Sequence, residues 1–215
     1  EGKGGSLKTS VDAEYLRLVA ARNNTAPVNI TGWSLQSALS GVRAFLPRGA
    51  SNFIMGTVNT QENIQLNPGV SATVVSGYSP LGTSFRENLC SGYLNQLQTF
   101  TPRLQERCPS PYEIVPLTAE NLNTYGDTCI DFVRNLPACE APLEKFTPSL
   151  SIQCRNFLAD TLSYNGCVDM YRYRTNFVQN AWRVYLNSSR ELWRNSHEVI
   201  RLLDGEGRTV DDITY

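Results

Sequence analysis

The sequence predicts a mainly β fold that is interrupted by a cysteine-rich helical segment. Three observations predict it: short stretches of alternating apolar and polar residues near both ends, helical periodicity in the middle, and six cysteines confined to that middle part. The chain has 215 residues, which is enough for one large domain or for one domain with a substantial insertion.

The first 86 residues read as short strands joined by turns. Apolar residues alternate with others in "AEYLRLVA", "PVNI", "NIQL" and "VSATVV". Asn67, Pro68 and Gly69 separate the last two stretches, and Pro followed by Gly is typical of a tight turn. Several short strands joined by turns indicate a β-sandwich or a β-barrel.

The alternation changes phase at Gly32. Val28 and Ile30 share one face, whereas Trp33 and Leu35 fall one residue out of step with them. We predict a β-bulge in one long strand, because a bulge turns the following side chains to the other face. The alternative is a strand that is buried on both faces and needs no alternation.

From about Cys90 to Asn180 the apolar spacing becomes helical. One helix is predicted from an N-cap at Thr118 to a stop before Pro137, and a second around Cys154 with its left-handed end at Gly166. Strand patterns return in "WRVYL" and in a hairpin around residues 204–207. These patterns predict a flexible leader (1–10), a discontinuous β domain (11–86 plus 181–215) and a helical insertion (87–180).

All six cysteines lie within the insertion. An even number in one region predicts disulfides, and hence an extracellular or cell-envelope location; free buried thiols and a metal site are the alternatives. Each bridge would stabilise by about 3 kcal/mol. Antiparallel packing of the two predicted helices suggests three pairs: Cys139–Cys154, Cys129–Cys167 and Cys90–Cys108.

Charge and hydropathy narrow the classes of partner. The net charge is −1 with no run of basic residues, so no nucleic-acid surface is expected. No apolar stretch approaches the ~20 residues of a membrane span, so membrane anchoring would need segments outside these residues. The partners expected are a protein or a cell-surface polymer, together with self-association.

Catalytic and metal-binding patterns are weak. His197 is the only histidine and precedes a predicted strand, where a turn residue is expected, so neither an enzyme nor a cofactor is predicted. Neighbouring Asp211 and Asp212 would point to opposite faces of a strand. Asp204, Glu206 and Asp211 form a weak calcium candidate, because they fall short of a calcium-binding loop.

Aromatic and basic side chains interleave near the end of the insertion. Tyr171, Arg172, Tyr173 and Arg174 precede Phe177 and Trp182. Such a strip could stack on sugars or bases. The alternative, which we favour, is that these rings pack the insertion onto the β domain.

Motifs at both ends of the chain resemble the lamin tail domain family. The pattern is a strand ending in Gly-Trp, an "LPRG" piece, an "LxPG" turn and a closing hairpin. The matching residues are Ile30, Gly32, Trp33, Leu35, Pro47, Gly49, Leu66, Pro68, Gly69, Trp193, Asn195, Leu202, Asp204, Gly207, Val210 and Asp211. The match covers about residues 11–86 and 181–215.

The resemblance implies an immunoglobulin-like β-sandwich without shared catalytic residues. The cysteine-bearing insertion and the missing coiled-coil heptads favour a bacterial secreted or envelope member over a nuclear lamin. The function expected is that of a non-catalytic structural or protein-interaction module. The alternative is an accessory carbohydrate- or wall-binding domain of a larger secreted enzyme.

Overall fold

A computed structural model describes residues 10–215, so the predicted leader (1–10) lies outside the described residues except for Ser10. Helix (24%) and strand (23%) take nearly equal shares, which makes the fold mixed rather than mainly β. The chain divides into two compact units. Of the described residues, the β unit holds 10–87 and 180–215, and the insertion unit holds Asn88–Gln179.

The strands within residues 10–215 form three sheets. They are β1 (Tyr15–Val19), β2 (Val28–Asn29), β3 (Ser34–Ser37), β4 (Arg43–Phe45), β5 (Gly49–Ala50), β6 (Gln65–Leu66), β7 (Ser71–Val75), β8 (Ser84–Asn88), β9 (Val178–Tyr185), β10 (Val199–Leu203) and β11 (Thr209–Thr214). A five-stranded sheet has the order β1-β7-β9-β8-β5. A four-stranded sheet has the order β11-β10-β3-β4, and β2 pairs with β6.

Strands that precede the insertion pair with strands that follow it. β3 is antiparallel to β10, with Leu35 opposite Leu202, and β7 is parallel to β9, with Val74 opposite Val184. The closing hairpin is confirmed, since β10 pairs antiparallel with β11 and Ile200 lies opposite Ile213. The sheets of the β unit are therefore completed by pairing between strands that lie far apart in the sequence.

The core of the β unit draws side chains from all three sheets. Its buried members are Leu16, Ala20, Ile30, Leu35, Leu46, Ile64, Leu66, Val70, Ala72, Val74, Trp182, Val184, Trp193 and Ile200. Gly49 lets β5 approach the indole of Trp182, because a Cβ on residue 49 would lie 3.0 Å from Cζ3 of that ring.

The predicted bulge at Gly32 is wrong. β2 ends at Asn29 and β3 begins at Ser34, and the chain turns between them as the Trp33 amide donates to the Ile30 carbonyl at 3.1 Å. Gly32 has a φ of +81°, which glycine adopts without strain. The phase change thus marks a turn that carries the chain from the two-stranded sheet to the four-stranded sheet.

Strand β9 does not alternate between buried and exposed. Arg183 and Tyr185 are buried like Val184, so side chains on both faces of this interior strand are covered. Arg183 Nε donates to Glu87 Oε1 at 2.7 Å, so the buried cation has a carboxylate partner.

The insertion unit is built of short helices. They are α1 (Leu94–Leu97), α2 (Pro111–Ile114), α3 (Ala119–Tyr125), α4 (Asp127–Arg134), α5 (Ile152–Thr161) and α6 (Tyr164–Tyr171). The N-cap at Thr118 is confirmed, since its side chain accepts the Asn121 amide at 3.1 Å. The single predicted first helix is wrong: Gly126, at φ +82°, divides it into α3 and α4.

The presence of disulfides is confirmed, but the predicted pairing is wrong. The bridges are Cys90–Cys167, Cys108–Cys139 and Cys129–Cys154, and not Cys90–Cys108, Cys129–Cys167 and Cys139–Cys154. The Cys129–Cys154 bridge joins the N-terminal parts of α4 and α5. In an antiparallel helical hairpin the N-terminal part of one helix lies beside the C-terminal part of the other, so the predicted nested pairs are not formed.

The predicted second helix is two helices in the structure, and Cys167 lies within the later one. α5 ends at Thr161, and α6 begins at Tyr164 and contains both Gly166 and Cys167. Gly166 is required for close approach rather than for a left-handed end, because a Cβ there would lie 2.0 Å from the Asp160 carbonyl oxygen. Cys167 is therefore part of α6, where it is bonded to Cys90.

Peptide mapping under non-reducing conditions tests this connectivity. Double digestion with trypsin and a Glu-specific protease separates all six cysteines. We expect linked fragments that join Cys90 to Cys167, Cys108 to Cys139 and Cys129 to Cys154, identified by mass spectrometry before and after reduction. The same digest of reduced and alkylated protein is the control, and a fragment that joins Cys90 to Cys108 would contradict the structure.

Candidate functional site

A groove runs between two edge strands of the β unit. β1 is an edge of the five-stranded sheet, and β11 is an edge of the four-stranded sheet. The groove contains a cavity of about 250 Å³ lined by both strands and an adjoining one of about 310 Å³ that reaches Trp33. Arg17, Leu18, Leu202 and Asp211 line both cavities, and we call the whole depression the edge groove.

The floor of the edge groove is apolar because both strands turn alternate side chains toward the core. On β1 these are Leu16 and Leu18, which lie opposite Val74 and Ala72 of β7. On the other sheet, Leu202 and Ile213 pack against the core cluster and remain partly exposed. The groove is therefore the side on which the core is incompletely covered.

The backbone of β1 has hydrogen-bonding groups that face away from β7. The Glu14 carbonyl accepts the Ser76 amide at 3.0 Å, and the Ala20 amide donates to the Val70 carbonyl at 3.0 Å. Because these groups alternate sides along an antiparallel strand, even-numbered residues bond to β7. The N–H and C=O groups of residues 15, 17 and 19 consequently point to the open edge.

The edge of β11 is arranged differently. Tyr215 exchanges both backbone hydrogen bonds with Glu198, so the same alternation turns the backbone groups of Asp212 outward. The outward Asp212 amide donates to the carboxylate of Asp211 at 3.0 Å. One outward backbone donor of the β11 edge, the Asp212 amide, is therefore already hydrogen-bonded to a side chain of the same strand.

The edge groove has an acidic rim. Asp211 and Asp212 are both exposed, and within residues 10–215 neither carboxylate lies within ion-pair distance of a cation. Asp212 is opposite Arg201 in the register, whereas Asp211 is opposite Leu202. Asp211 thus places a charged group beside an apolar floor.

Two other carboxylates of the β unit bind the segment that precedes β10. Glu14 accepts the amides of Leu192 and Trp193 at 2.9 and 3.0 Å. Glu198 is fully buried and accepts the Ser37 hydroxyl at 2.9 Å and the Arg194 amide at 3.2 Å. Burial and these two carboxylates raise the pKa of Tyr215 to about 12.

The calcium candidate of Asp204, Glu206 and Asp211 is not formed. Asp204 accepts the amides of Glu206 and Arg208, and its other oxygen accepts Arg208 Nε at 2.8 Å. The hydrogen bond from the Arg208 amide is the main cause that lowers the pKa of Asp204. Within residues 10–215 no three His, Cys, Asp or Glu side chains are grouped to hold a metal ion.

The aromatic strip near the end of the insertion is not continuous. Tyr171 is 1% exposed, and the Arg174 guanidinium lies 4.3 Å from the centre of its ring. Tyr173 is 85% exposed, and Arg172 lies 5.0 Å from the centre of that ring. The structure therefore leaves one exposed ring rather than a stacking surface.

His197 has the local geometry of a turn residue. It is exposed and has a φ of +55°, and the adjacent residue Glu198 is engaged in the buried hydrogen bonds described above. The edge groove is not evident from the sequence. The strand patterns of "EYLRLVA" and "TVDDITY" were visible, but the sequence does not show which strands lie at sheet edges.

Comparisons of the chain with protein-family models, curated proteins and solved structures find no match. Among the residues that the structure describes, no helix has the length and apolar character needed to cross a membrane.

Removing the buried carboxylate tests its structural role. We expect Glu198→Ala to lower the free energy of unfolding by about 2–3 kcal/mol, because buried donors lose their acceptor. Glu206→Ala is the control, since its side chain is 72% exposed, and it should change stability by less than about 1 kcal/mol. Denaturant unfolding monitored by tryptophan fluorescence measures both, and equal effects would contradict the assignment.

Proposed function

We propose that the protein is a non-catalytic structural or protein-interaction module of the extracellular space or cell envelope. We further propose that its β unit is an immunoglobulin-like sandwich of the lamin tail type. Three features support this relationship. The motif residues at the two ends meet in paired strands, Gly32 takes the conformation that glycine favours, and Trp33 packs against the core.

The edge groove is the observation that carries the interaction role. An apolar depression bordered by unpaired strand edges is a common form of peptide-binding site. The partly exposed side chains of Leu18, Trp33 and Leu202 offer surface that a partner could cover. A groove of this kind would bind an unfolded or extended segment of another protein.

The environments of the titratable groups support a non-catalytic role. Glu14, Glu198 and Asp204 each accept hydrogen bonds from backbone amides, so these carboxylates serve to hold loops. All six cysteines are consumed in disulfides and supply no thiolate nucleophile. The disulfides are typical of an oxidising compartment, which supports export from the cytosol.

Selection from a random dodecapeptide library displayed on phage tests the interaction role. We expect the full chain to enrich peptides that photo-cross-link to Leu18 or Asp211 at the edge groove. Protein unfolded by reductant and denaturant is the control for non-specific capture. Absence of enrichment, or cross-links confined to the insertion unit, would contradict the proposal.

One observation favours the alternative function of carbohydrate or wall binding. Tyr173 is an exposed ring with a guanidinium beside it, an arrangement that can stack on a sugar. The ring belongs to the insertion unit, whereas the edge groove belongs to the β unit.

A polysaccharide pull-down with peptidoglycan and cellulose tests this alternative. If it holds, Tyr173→Ala should reduce the bound fraction about fivefold, because one stacking contact is lost. Tyr78→Ala removes another exposed ring, in the β unit, and is the matched control. Binding that is absent, or equal in both variants, would exclude a role for Tyr173.

A further inference from the structure

We propose that the edge groove takes an extended segment of a partner protein, added to β1 as a sixth strand of the five-stranded sheet, with an Arg or Lys side chain facing Asp211. This inference rests on the proposed interaction role and specifies its partner. The backbone geometry indicates the pairing edge, the apolar floor indicates the side chains of the partner, and the acidic rim indicates its charge.

The backbone of β1 supplies the hydrogen bonds. Because Glu14 and Ala20 bond to β7, the amide and carbonyl groups of Tyr15, Arg17 and Val19 face the open edge. A strand laid along this edge would pair with those groups and continue the ladder. The side chains of Arg17 and Val19 are exposed, so they leave the approach to the edge accessible.

The other edge is less suited to strand addition. On β11 the outward amide of Asp212 already donates to the Asp211 carboxylate. An incoming strand would have to displace this bond, and inward or edge carboxylates are a common protection against unwanted pairing. The geometry therefore selects β1 as the pairing edge and leaves β11 as the facing wall.

The floor defines the side chains of the partner. Every second residue of an added strand would point into the groove, beside Leu16 and Leu18 on one side and Leu202 and Ile213 on the other. Apolar side chains at these alternating positions would cover the exposed part of the core. One alternating position would lie near Asp211 and would favour a different residue type.

The rim defines the charge of the partner. Asp211 and Asp212 lack ion-pair partners within residues 10–215, so a basic side chain at the groove would gain a carboxylate. Arg17 does not offset these carboxylates, because its side chain points to the face of β1 opposite Leu16 and Leu18 and donates to the Ser71 hydroxyl at 3.4 Å. If two copies of this chain instead paired along β1 in a register centred on Arg17, the two guanidinium groups would lie opposite each other, and like charges would oppose that pairing. Charge complementarity therefore favours a basic strand from a different protein.

Blocked heptapeptides provide a direct test with the full chain. TVTRTVT has two valines and an arginine on one face, and TVTETVT replaces the arginine with glutamate. Intrinsic fluorescence reports occupancy, because Trp33 lines the groove. We expect the arginine peptide to bind at least about fivefold more tightly than the glutamate peptide, and Asp211→Asn should remove the preference while keeping an acceptor for the Asp212 amide.

Amide hydrogen exchange distinguishes strand addition from side-chain contact alone. Saturating TVTRTVT should slow exchange at residues 15, 17 and 19, while residues 16 and 18 change little because they already bond to β7. N-methylation of one alternate set of peptide amides should weaken binding about tenfold, and methylation of the other set should have little effect. Equal effects of both sets would overturn the strand model.

A matched pair of variants tests the same edge from the protein side. Val19→Pro removes an outward donor without removing a bond to β7, and Val19→Ala keeps the donor. The proline variant should bind TVTRTVT about tenfold more weakly than the alanine variant. If it fails to fold, the exchange pattern and the methylated peptides still decide the question on the unaltered chain.

The outcomes separate the two levels of the proposal. Peptides that occupy the groove with no charge preference and no alternating protection would overturn the strand addition and leave the interaction role standing. Failure of both the designed and the library peptides to bind would overturn both. Concentration-dependent dimers in sedimentation that Val19→Pro abolishes would assign the edge to a second copy and overturn the heterologous partner.

Discussion

The Cys90–Cys167 disulfide is the covalent constraint that holds the two ends of the insertion unit together. It holds the Cα atoms of two residues 77 positions apart within 5.8 Å of each other. Next to it, the Leu89 amide donates to the Phe177 carbonyl at 2.8 Å. The two ends of the insertion unit are therefore held close together. The disulfide lowers the conformational-entropy cost of closing the long loop between β8 and β9. β8 and β9 can therefore be neighbours in one sheet although the insertion separates them in sequence.

Long-range pairing also decides which surfaces are exposed. β9 becomes an interior strand because β7 and β8 flank it, and its buried Arg183 pairs with Glu87 of β8. β1 and β11 become edges because no further strand of the described residues pairs with them. The edge groove thus follows from topology and not from any special local motif. Its apolar floor is the part of a shared core that the edges leave uncovered.

Three carboxylates of the β unit bind backbone amides. Glu14 and Glu198 hold the segment before β10, and Asp204 holds the turn of the closing hairpin. Asp211 differs because it combines an exposed carboxylate with a position beside apolar side chains. This contrast between Asp211 and the three backbone-binding carboxylates is one reason why we propose the edge groove as an interaction site.

Local patterns alone predicted the features that depend on neighbouring residues. The turn at Asn67–Gly69, the cap at Thr118 and the closing hairpin were predicted because turn chemistry, capping and alternation act over a few residues. The even number of clustered cysteines likewise predicted disulfides. In each case the physical cause lies within the segment that carries the pattern.

Pairing across the chain was decided only in the folded molecule. The partners of Cys129 and Cys167, the break at Gly126 and the edges at β1 and β11 depend on which distant segments meet. A residue pattern records how a side chain is divided between core and solvent, but it does not record which strand or helix supplies the core. For this reason the sequence predicted the strands while the tertiary structure revealed the groove between them.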